Sequence, residues 1–285
     1  MNVAVLGTGL MGYPMAERLL RAGHRVIAFN RTVKKATPLK DLGAAVTKSP
    51  KEAIEHSQCI ILMLANAEAI QTALFSSKIP LKNKTIIQMG TISPEESRKF
   101  HKKIIKQGGQ YLECPVLGSR KEAREGTLIL MVGSTLKQFK QWRGLLRCFG
   151  PAPKWVGTVG KAAALKLALN QMIASMISAF ALSLGFVKRQ GVKVDDFMGI
   201  LRKSVLYAPT FDKKLPQMLK ADYMNPNFST RNMLKDVNLF LKEAKSKRLA
   251  IPALQGIRGI LIKTIGKGFS DDDYCSIFET ISPRK

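Results

Sequence analysis

The chain has few acidic residues, and it lacks the grouped cysteines and histidines of metal-binding or disulfide-stabilised proteins. Its 285 residues contain only 20 Asp and Glu, with 4 cysteines and 3 histidines. No two cysteines form a CxxC pair and the histidines have no metal-ligand spacing, so the sequence predicts neither a zinc site nor a disulfide framework. Scattered single cysteines are typical of a reducing compartment, and we expect a cytoplasmic protein.

The shortage of acidic residues leaves a large positive charge. With 46 Lys and Arg the net charge is +26, which predicts attraction to polyanions. The basic residues are nevertheless spread along the chain, without interleaved aromatic residues or zinc-finger spacing. A lysine-rich surface that favours small anionic ligands is therefore the preferred interpretation. A non-catalytic protein that binds nucleotides and nucleic acids is the alternative that remains.

Long apolar runs are absent except for one. Residues 157–190 are rich in Ala, Leu and Met, and no charge lies between Lys166 and Lys188. A helix of this length that is apolar on nearly all sides must be buried or must span a membrane. Asn170, Gln171 and several serines interrupt the run, so we do not expect a membrane span. We expect a helix that joins two domains and presents Lys166 and Asn170, four residues apart on one face, to a cleft.

A glycine-rich turn follows the first apolar segment of the chain. Residues 2–6 have the pattern of a short buried strand, and residues 14–22 have the spacing of an amphipathic helix that Gly23 would end. The motif between them is GxGxxG, in which the first glycine permits a tight turn, the second lets backbone approach a pyrophosphate, and the third allows close helix packing. With a further strand at 25–29, the pattern predicts a Rossmann-type dinucleotide site formed by Gly7, Thr8, Gly9, Leu10, Met11 and Gly12.

The end of the second predicted strand indicates which dinucleotide is bound. An acidic residue at this point would bind the ribose 2′-hydroxyl of NAD. The chain instead has Asn30, Arg31 and Thr32, followed closely by Lys34 and Lys35. A guanidinium suits a 2′-phosphate because it can donate two parallel, charge-assisted hydrogen bonds. We therefore expect NADP to be preferred over NAD.

Strand and helix patterns alternate as far as residue 156. Apolar runs at 58–64, 85–89, 111–116, 127–132 and 154–156 are typical of strands, and segments 67–75, 93–106 and 136–148 of helices. This alternation predicts a doubly wound, largely parallel sheet, with ligands beyond the carboxyl ends of its strands, where Leu64 and Thr91 fall. Only helical patterns follow. The predicted fold is α/β, with a nucleotide-binding domain at 1–158 and an all-α domain at 159–285.

Several separated motifs, in the same order along the full chain, resemble those of the β-hydroxyacid dehydrogenase family. This group includes 3-hydroxyisobutyrate dehydrogenase, tartronate semialdehyde reductase and the glyoxylate/succinic semialdehyde reductases. The run from Gly118 to Ala123 is most similar to the semialdehyde reductase branch. The motifs are the cofactor loop 7–16, Gly90-Thr91-Ile92-Ser93-Pro94, Cys114-Pro115-Val116-Leu117-Gly118-Ser119, Gly126-Thr127-Leu128, the helix start from Gly157 to Asn170, and Lys235-Asp236.

The resemblance implies an NADPH-dependent reductase that converts a small carboxylate-bearing aldehyde, a semialdehyde or glyoxylate, to the hydroxyacid. The lysine at the position of Lys166 is catalytic in the family, and we expect it to donate the proton. Asn170 would bind the substrate or hold this lysine. The other expected contacts are Thr91 and Lys235 with the cofactor, and Leu117, Gly118, Ser119 and Arg120 with the substrate.

Two positions depart from the family pattern, and one alternative reaction follows from the same motifs. Leu117 stands where the family has a serine that touches the substrate carboxylate, and Ala162 replaces a glycine before Lys166. Relatives that reduce imines lack the catalytic lysine, so its presence here favours carbonyl reduction over an imine reductase. The family and the long apolar helix also imply a homodimer or homotetramer.

Overall fold

The computed structural model describes residues 1–76 and 79–284. Their contacts divide the chain into two compact units, Met1–Lys166 and Leu167–Lys285.

Unit 1 contains a nine-stranded sheet with the order β3-β2-β1-β4-β5-β6-β8-β7, in which β9 also pairs with β8. Strands β1 to β6 are all parallel to one another. The doubly wound, largely parallel sheet is thus confirmed. The strands are β1 Asn2–Leu6, β2 Arg25–Phe29, β3 Ala45–Thr47, β4 Cys59–Leu62, β5 Thr85–Gln88, β6 Gln110–Glu113, β7 Val116–Leu117, β8 Ile129–Gly133 and β9 Lys154–Gly157.

One edge of the sheet departs from the parallel arrangement. Strand β8 is antiparallel to both β6 and β7, and β9 then runs parallel to β8. The short pieces β3 and β7 were not expected, because two or three residues give no periodicity to recognise.

Helices cover both faces of the sheet, as its apolar strands require. Successive residues of β1 point to opposite faces: Val3 and Val5 pack in one core cluster and Ala4 and Leu6 in the other. Helices α1, α5 and α6 bury residues in the first cluster, and α2, α3 and α4 in the second. Their bounds are α1 Gly12–Arg21, α2 Pro50–Glu55, α3 Ala67–Phe75, α4 Pro94–Lys106, α5 Arg120–Glu125 and α6 Leu136–Leu146.

The start of α4 shows how local sequence sets a helix end. The Ser93 hydroxyl accepts a hydrogen bond from the Glu96 amide at 3.1 Å, and the Glu96 carboxylate accepts one from the Ser93 amide at 2.8 Å. Pro94 occupies the first helical position, where no amide hydrogen is needed. This reciprocal cap confirms the predicted helix start.

Unit 2 is built around α7, Lys161–Arg189, whose buried residues Ala174, Ile177, Ala181 and Leu184 belong to its core. Among the described residues, α7 is the one helix long and apolar enough to cross a membrane, although core helices pass the same test. The all-α second half is confirmed. Its other helices are α8 Val194–Lys203, α9 Pro209–Lys220, α10 Thr230–Ser246, α11 Pro252–Gly266 and α12 Phe278–Ile281.

A buried ion pair ties the last segment of unit 2 to α9. Lys214 Nζ lies 2.7 Å from Asp273 Oδ2, and the two side chains are 7% and 0% exposed. Asp273 also accepts hydrogen bonds from the amides of Asn227 and Cys275, both at 3.2 Å. Asp273 therefore caps the short helical turn Tyr274–Ile277 and also pairs with the Lys214 ammonium group of α9.

Candidate active site

The three glycines of the GxGxxG turn have three different surroundings. Gly7 has φ +98°, and a Cβ there would lie 2.3 Å from the Met63 carbonyl oxygen. At Gly12 a Cβ would lie 1.8 Å from the Gly7 carbonyl oxygen. Gly9 has open space within 4 Å of its Cβ position. The first glycine thus makes the turn and the third lets α1 pack on it, while the second faces room for a ligand.

The ends of β1, β4 and β5 meet at this turn. Leu64, just after β4, has Cδ2 3.1 Å from the Cβ position of Gly7. Its carbonyl oxygen lies 2.5 Å from the Cβ position of Gly90, just after β5, so only glycine fits there. The Gln88 side-chain amide donates to the Gly90 carbonyl at 3.0 Å and holds this loop. Thr91 follows and is partly buried.

Asn30 connects the glycine turn to the end of β2. Its Oδ1 accepts a hydrogen bond from the Thr8 amide at 3.1 Å, and its Nδ2 donates to the Thr32 carbonyl at 2.9 Å. Arg31, between these contacts in sequence, is exposed. Asn30 therefore shapes the site through its bonds to the backbone, and the Arg31 side chain beside it is open to solvent.

These residues fit a dinucleotide. The Thr8 hydroxyl is buried and has no hydrogen-bond partner among the residues that the structure describes, so it can bond a ligand oxygen. The N-cap residue of α1, Met11, makes no side-chain cap, and the first turn holds no acidic residue, which leaves the positive end of the helix to an anion. Leu10 is 43% exposed beside them.

The predicted substrate loop contains an internal contact that changes its chemistry. Ser119 donates from its amide at 2.7 Å and from its hydroxyl at 2.5 Å, and both bonds go to the Glu122 carboxylate. Both hydrogen-bond donors of Ser119, one of the residues expected to contact the substrate, are thus engaged at the start of α5. Leu117 is partly buried opposite Ile129 of β8, and Gly118 has φ +132°.

Lys166 lies in the second turn of α7 and is partly buried. The start of this helix is held by Glu113, the last residue of β6, which is 1% exposed. Glu113 Oε1 accepts hydrogen bonds from the amides of Gly160, Ala162 and Ala163 at 2.7, 2.9 and 3.2 Å. Burial raises the pKa of the Glu113 carboxyl, and its bonds from Ser97 and these amides oppose the rise.

In unit 2, Asn170 and Lys235 share one carboxylate. Asn170, 5% exposed, donates from Nδ2 to Asp236 Oδ2 at 2.6 Å, and Lys235 Nζ lies 2.9 Å from Asp236 Oδ1. Asp236 is 3% exposed. The Asn170 amide group is thus oriented by Asp236, and Lys235 is accompanied by a counter-charge.

Three acidic residues of this region were not assigned a role from the sequence. The sequence does indicate a role for Glu122, since Ser119 and Glu122 have the S-x-x-E spacing of a capping box. The indication for Glu113 is weaker: it is a single acidic residue inside an otherwise apolar predicted strand. Asp236 meets Asn170 across 66 positions of sequence, and no local pattern shows such a contact.

The sheet, the glycine turn and the polar ends of β2 and β5 define a Rossmann-type dinucleotide-binding protein with a helical second unit. Residues 2–160 match the family described as the NAD binding domain of 6-phosphogluconate dehydrogenase. Residues 160–281 match the NAD-binding domain of NADP-dependent 3-hydroxyisobutyrate dehydrogenase.

Known proteins of similar sequence and structure agree with these matches. Glyoxylate/succinic semialdehyde reductase 1 of Arabidopsis thaliana is 30% identical over 99% of this chain and 98% of its own. The cytokine-like nuclear factor N-PAC of Drosophila melanogaster is 26% identical over 96% of this chain, which spans 46% of that longer protein. A structure of 3-hydroxyisobutyrate dehydrogenase from Mycobacterium tuberculosis, solved with L-serine, has a TM-score of 0.88 at 24% identity, with 98% of both chains covered. The chain therefore belongs to the 3-hydroxyisobutyrate dehydrogenase-like family.

Proposed function

We propose that the protein is an NADPH-dependent reductase of small carboxylate-bearing aldehydes, such as a semialdehyde or glyoxylate, and forms the corresponding hydroxyacid. The observation that carries the proposal is the presence of Lys166 on a helix whose first turn is fixed to the same unit as the glycine turn. The relative from Arabidopsis thaliana, a glyoxylate/succinic semialdehyde reductase by name, supports this class of substrate.

NADP is the preferred cofactor in this proposal. Arg31 is exposed at the end of β2, next to Asn30, and no acidic residue stands at this point to repel a 2′-phosphate. The family match of residues 160–281, described as NADP-dependent, supports the same preference. A kcat/KM with NADH tenfold or more above that with NADPH would contradict it.

A bound nicotinamide would supply the hydride for the substrate carbon. The task of the chain is to hold the carbonyl group and to protonate its oxygen as negative charge develops there. Lys166 Nζ is the proton donor that we propose for this step, since an ammonium also stabilises the developing charge electrostatically. Asn170, oriented by Asp236, would hydrogen-bond the substrate.

Substrate choice depends on the loop after β7. Leu117 offers an apolar wall, and the Ser119 donors are satisfied by Glu122. A substrate carboxylate must therefore displace Glu122 or bind another donor, of which the partly buried Arg120 is the nearest in sequence. We expect a longer, partly apolar semialdehyde to fit this wall better than glyoxylate.

We also propose that the protein is cytoplasmic and assembles as a homodimer or homotetramer through α7. Four large apolar side chains of this helix remain exposed within the chain: Leu165 at 39%, Met172 at 53%, Leu182 at 62% and Phe186 at 63%. A second copy is the occupant we assign to this face. Replacing Phe186 by Glu should shift the mass measured by light scattering to that of a smaller species, and an unchanged mass would refute this assembly.

The deciding experiment is an NADPH-oxidation screen over glyoxylate, succinic, methylmalonate and tartronate semialdehydes, with one imine in parallel. Replacing Lys166 by Ala should lower kcat at least a hundredfold and leave NADPH binding intact. A near-normal rate would remove the mechanism. No turnover, together with DNA binding that weakens steeply with salt, would favour the non-catalytic nucleic-acid alternative suggested by the +26 charge.

A further inference from the structure

The residue immediately before α7 has no side chain that could cap the first turn of the helix. This residue is Gly160, and its φ of +100° belongs to a tight turn. The first amides of a helix have no partner within it, and leaving them unpaired in a buried place is costly. The partner for three of these amides is instead Glu113, a strand residue 47 positions away from Gly160.

Both oxygens of the Glu113 carboxylate are used. Oε1 accepts the three amides of 160, 162 and 163, and Oε2 accepts a hydrogen bond from the Ser97 hydroxyl. Ser97 Oγ lies in turn 2.8 Å from the Tyr111 hydroxyl. A negative charge at the amino end of a helix also complements the helix dipole, and charge-assisted bonds are stronger than neutral ones.

The space for this carboxylate is provided by Gly133 at the end of β8, which pairs with Glu113. A Cβ at Gly133 would lie 2.4 Å from Glu113 Oε1 and 2.7 Å from its Cγ. No left-handed φ requires glycine at this position, so the need for glycine comes from the glutamate beside it. Residues of β6, β8 and α4 thus surround the Glu113 carboxylate and orient it towards the first turn of α7.

We propose that Glu113 is the positioning residue for Lys166. The lysine lies four residues beyond Ala162, about 6 Å along the helix axis at 1.5 Å per residue. Tilting or fraying of the first turn would therefore displace the ammonium group directly. This inference rests on the proposed role of Lys166 as proton donor, since a helix cap matters to catalysis only if the side chain above it reacts.

The proposal predicts separate effects on chemistry and on cofactor binding. Replacing Glu113 by Ala frees the three amides, and a misplacement of about 1 Å at a reacting group costs roughly a hundredfold in rate. We therefore expect kcat to fall about 10- to 100-fold. The KM for NADPH should stay within about twofold, because the hydrogen bonds of the Glu113 carboxylate go to Ser97 and to the amides of 160, 162 and 163, which lie outside the glycine turn.

Three further variants make the test specific. Glu113→Gln keeps a carbonyl oxygen for the three amides, and should restore most of the kcat lost in the Ala variant. Gly133→Ala leaves Glu113 in the sequence but displaces its carboxylate, and should lower kcat as Glu113→Ala does. Tyr111→Phe is the matched control: it lies two residues away on β6, is fully buried, and contacts Ser97 but none of the three helix amides.

Amide hydrogen exchange supplies a readout that does not depend on activity. Exchange at 160, 162 and 163 should accelerate in Glu113→Ala and Gly133→Ala, and should stay at the wild-type rate in Tyr111→Phe. The proposal is overturned if Glu113→Ala and Gly133→Ala keep kcat within twofold, or if Tyr111→Phe loses as much kcat as they do. It is overturned equally if exchange at these amides does not change.

Failure of the proposed function has a different signature. If Lys166→Ala retains a normal rate, the lysine mechanism is wrong, and the positioning role falls with it even where exchange at the cap accelerates. If Lys166→Ala is inactive and the Glu113 and Gly133 variants are normal, the mechanism stands and only the positioning role is wrong. Should Glu113→Ala not fold, Glu113→Gln and Gly133→Ala decide the question alone.

Discussion

Replacing Gly9 or Gly12 of the GxGxxG turn by alanine should change the stability of the protein in opposite directions. At Gly9 the new Cβ meets nothing within 4 Å, and its φ does not fall in the left-handed region. Replacement by Ala there restricts the unfolded chain without strain in the folded one, which contributes about 0.4–1 kcal/mol of stability. For a unit of this size that corresponds to roughly a 1–4 °C rise in Tm.

At Gly12 the methyl would lie 1.8 Å from the Gly7 carbonyl oxygen, a backbone atom that cannot rotate away. Helix α1 must shift to make room, and overpacking of this kind costs about 1–3 kcal/mol or more. Gly12→Ala should therefore lower the Tm by several degrees, whatever its effect on the cofactor.

The affinity for NADPH should not follow stability in these variants. The open space at Gly9 is where a pyrophosphate would approach the backbone, so Gly9→Ala should weaken NADPH binding. Loss of one charge-assisted hydrogen bond of about 1.5–3 kcal/mol corresponds to roughly a 10- to 150-fold higher Kd. NADPH fluorescence titration and thermal unfolding of the same preparations measure both quantities. Wild-type NADPH affinity in Gly9→Ala would refute the placement of the pyrophosphate.

Other predictions follow from single side chains. Arg31→Ala should raise the KM for NADPH about tenfold or more and leave the KM for NADH nearly unchanged, as steady-state kinetics would show; equal effects on both would contradict a 2′-phosphate contact. Lys214→Met removes the cation that pairs with the buried Asp273 carboxylate, and should cost about 3 kcal/mol in urea unfolding. Burial lowers the pKa of His24 and of His101 below the ordinary value of about 6.5. The unfolded chain then binds protons first on acidification, so stability should fall as the pH drops below about 6.5, and NMR titration should place both rings lower still.

The candidate site was only partly readable from the sequence. The order strand, glycine turn, helix, strand is local, and its prediction from residues 2–29 agrees with the structure. The Ser119–Glu122 cap is equally local, and its S-x-x-E spacing is visible in the sequence. The contacts of Glu113 with the start of α7 and of Asp236 with Asn170 are different, since each joins residues at least 47 positions apart in the chain.

The antiparallel strand β8 could not be inferred from the chain alone. Buried strands have the same apolar composition in either direction, so residues 127–132 predict a strand but not its orientation. Orientation is set by the bend of the chain through β7 at Val116–Leu117 and by the return at Gly118. The same return brings Gly133 beside Glu113 and thus makes room for the helix cap.

Sequence alone determined the α/β and all-α halves, the glycine turn and the candidate lysine, because each depends on residues a few positions apart, through the periodicity of strands and helices and the φ freedom of glycine. Tertiary structure alone decided which carboxylates meet which donors. Those pairings depend on strand order and on close approach between segments that are distant in the chain. A buried polar group that lacks a partner costs free energy, but this cost can favour a particular pairing only once the backbone has brought the two segments together.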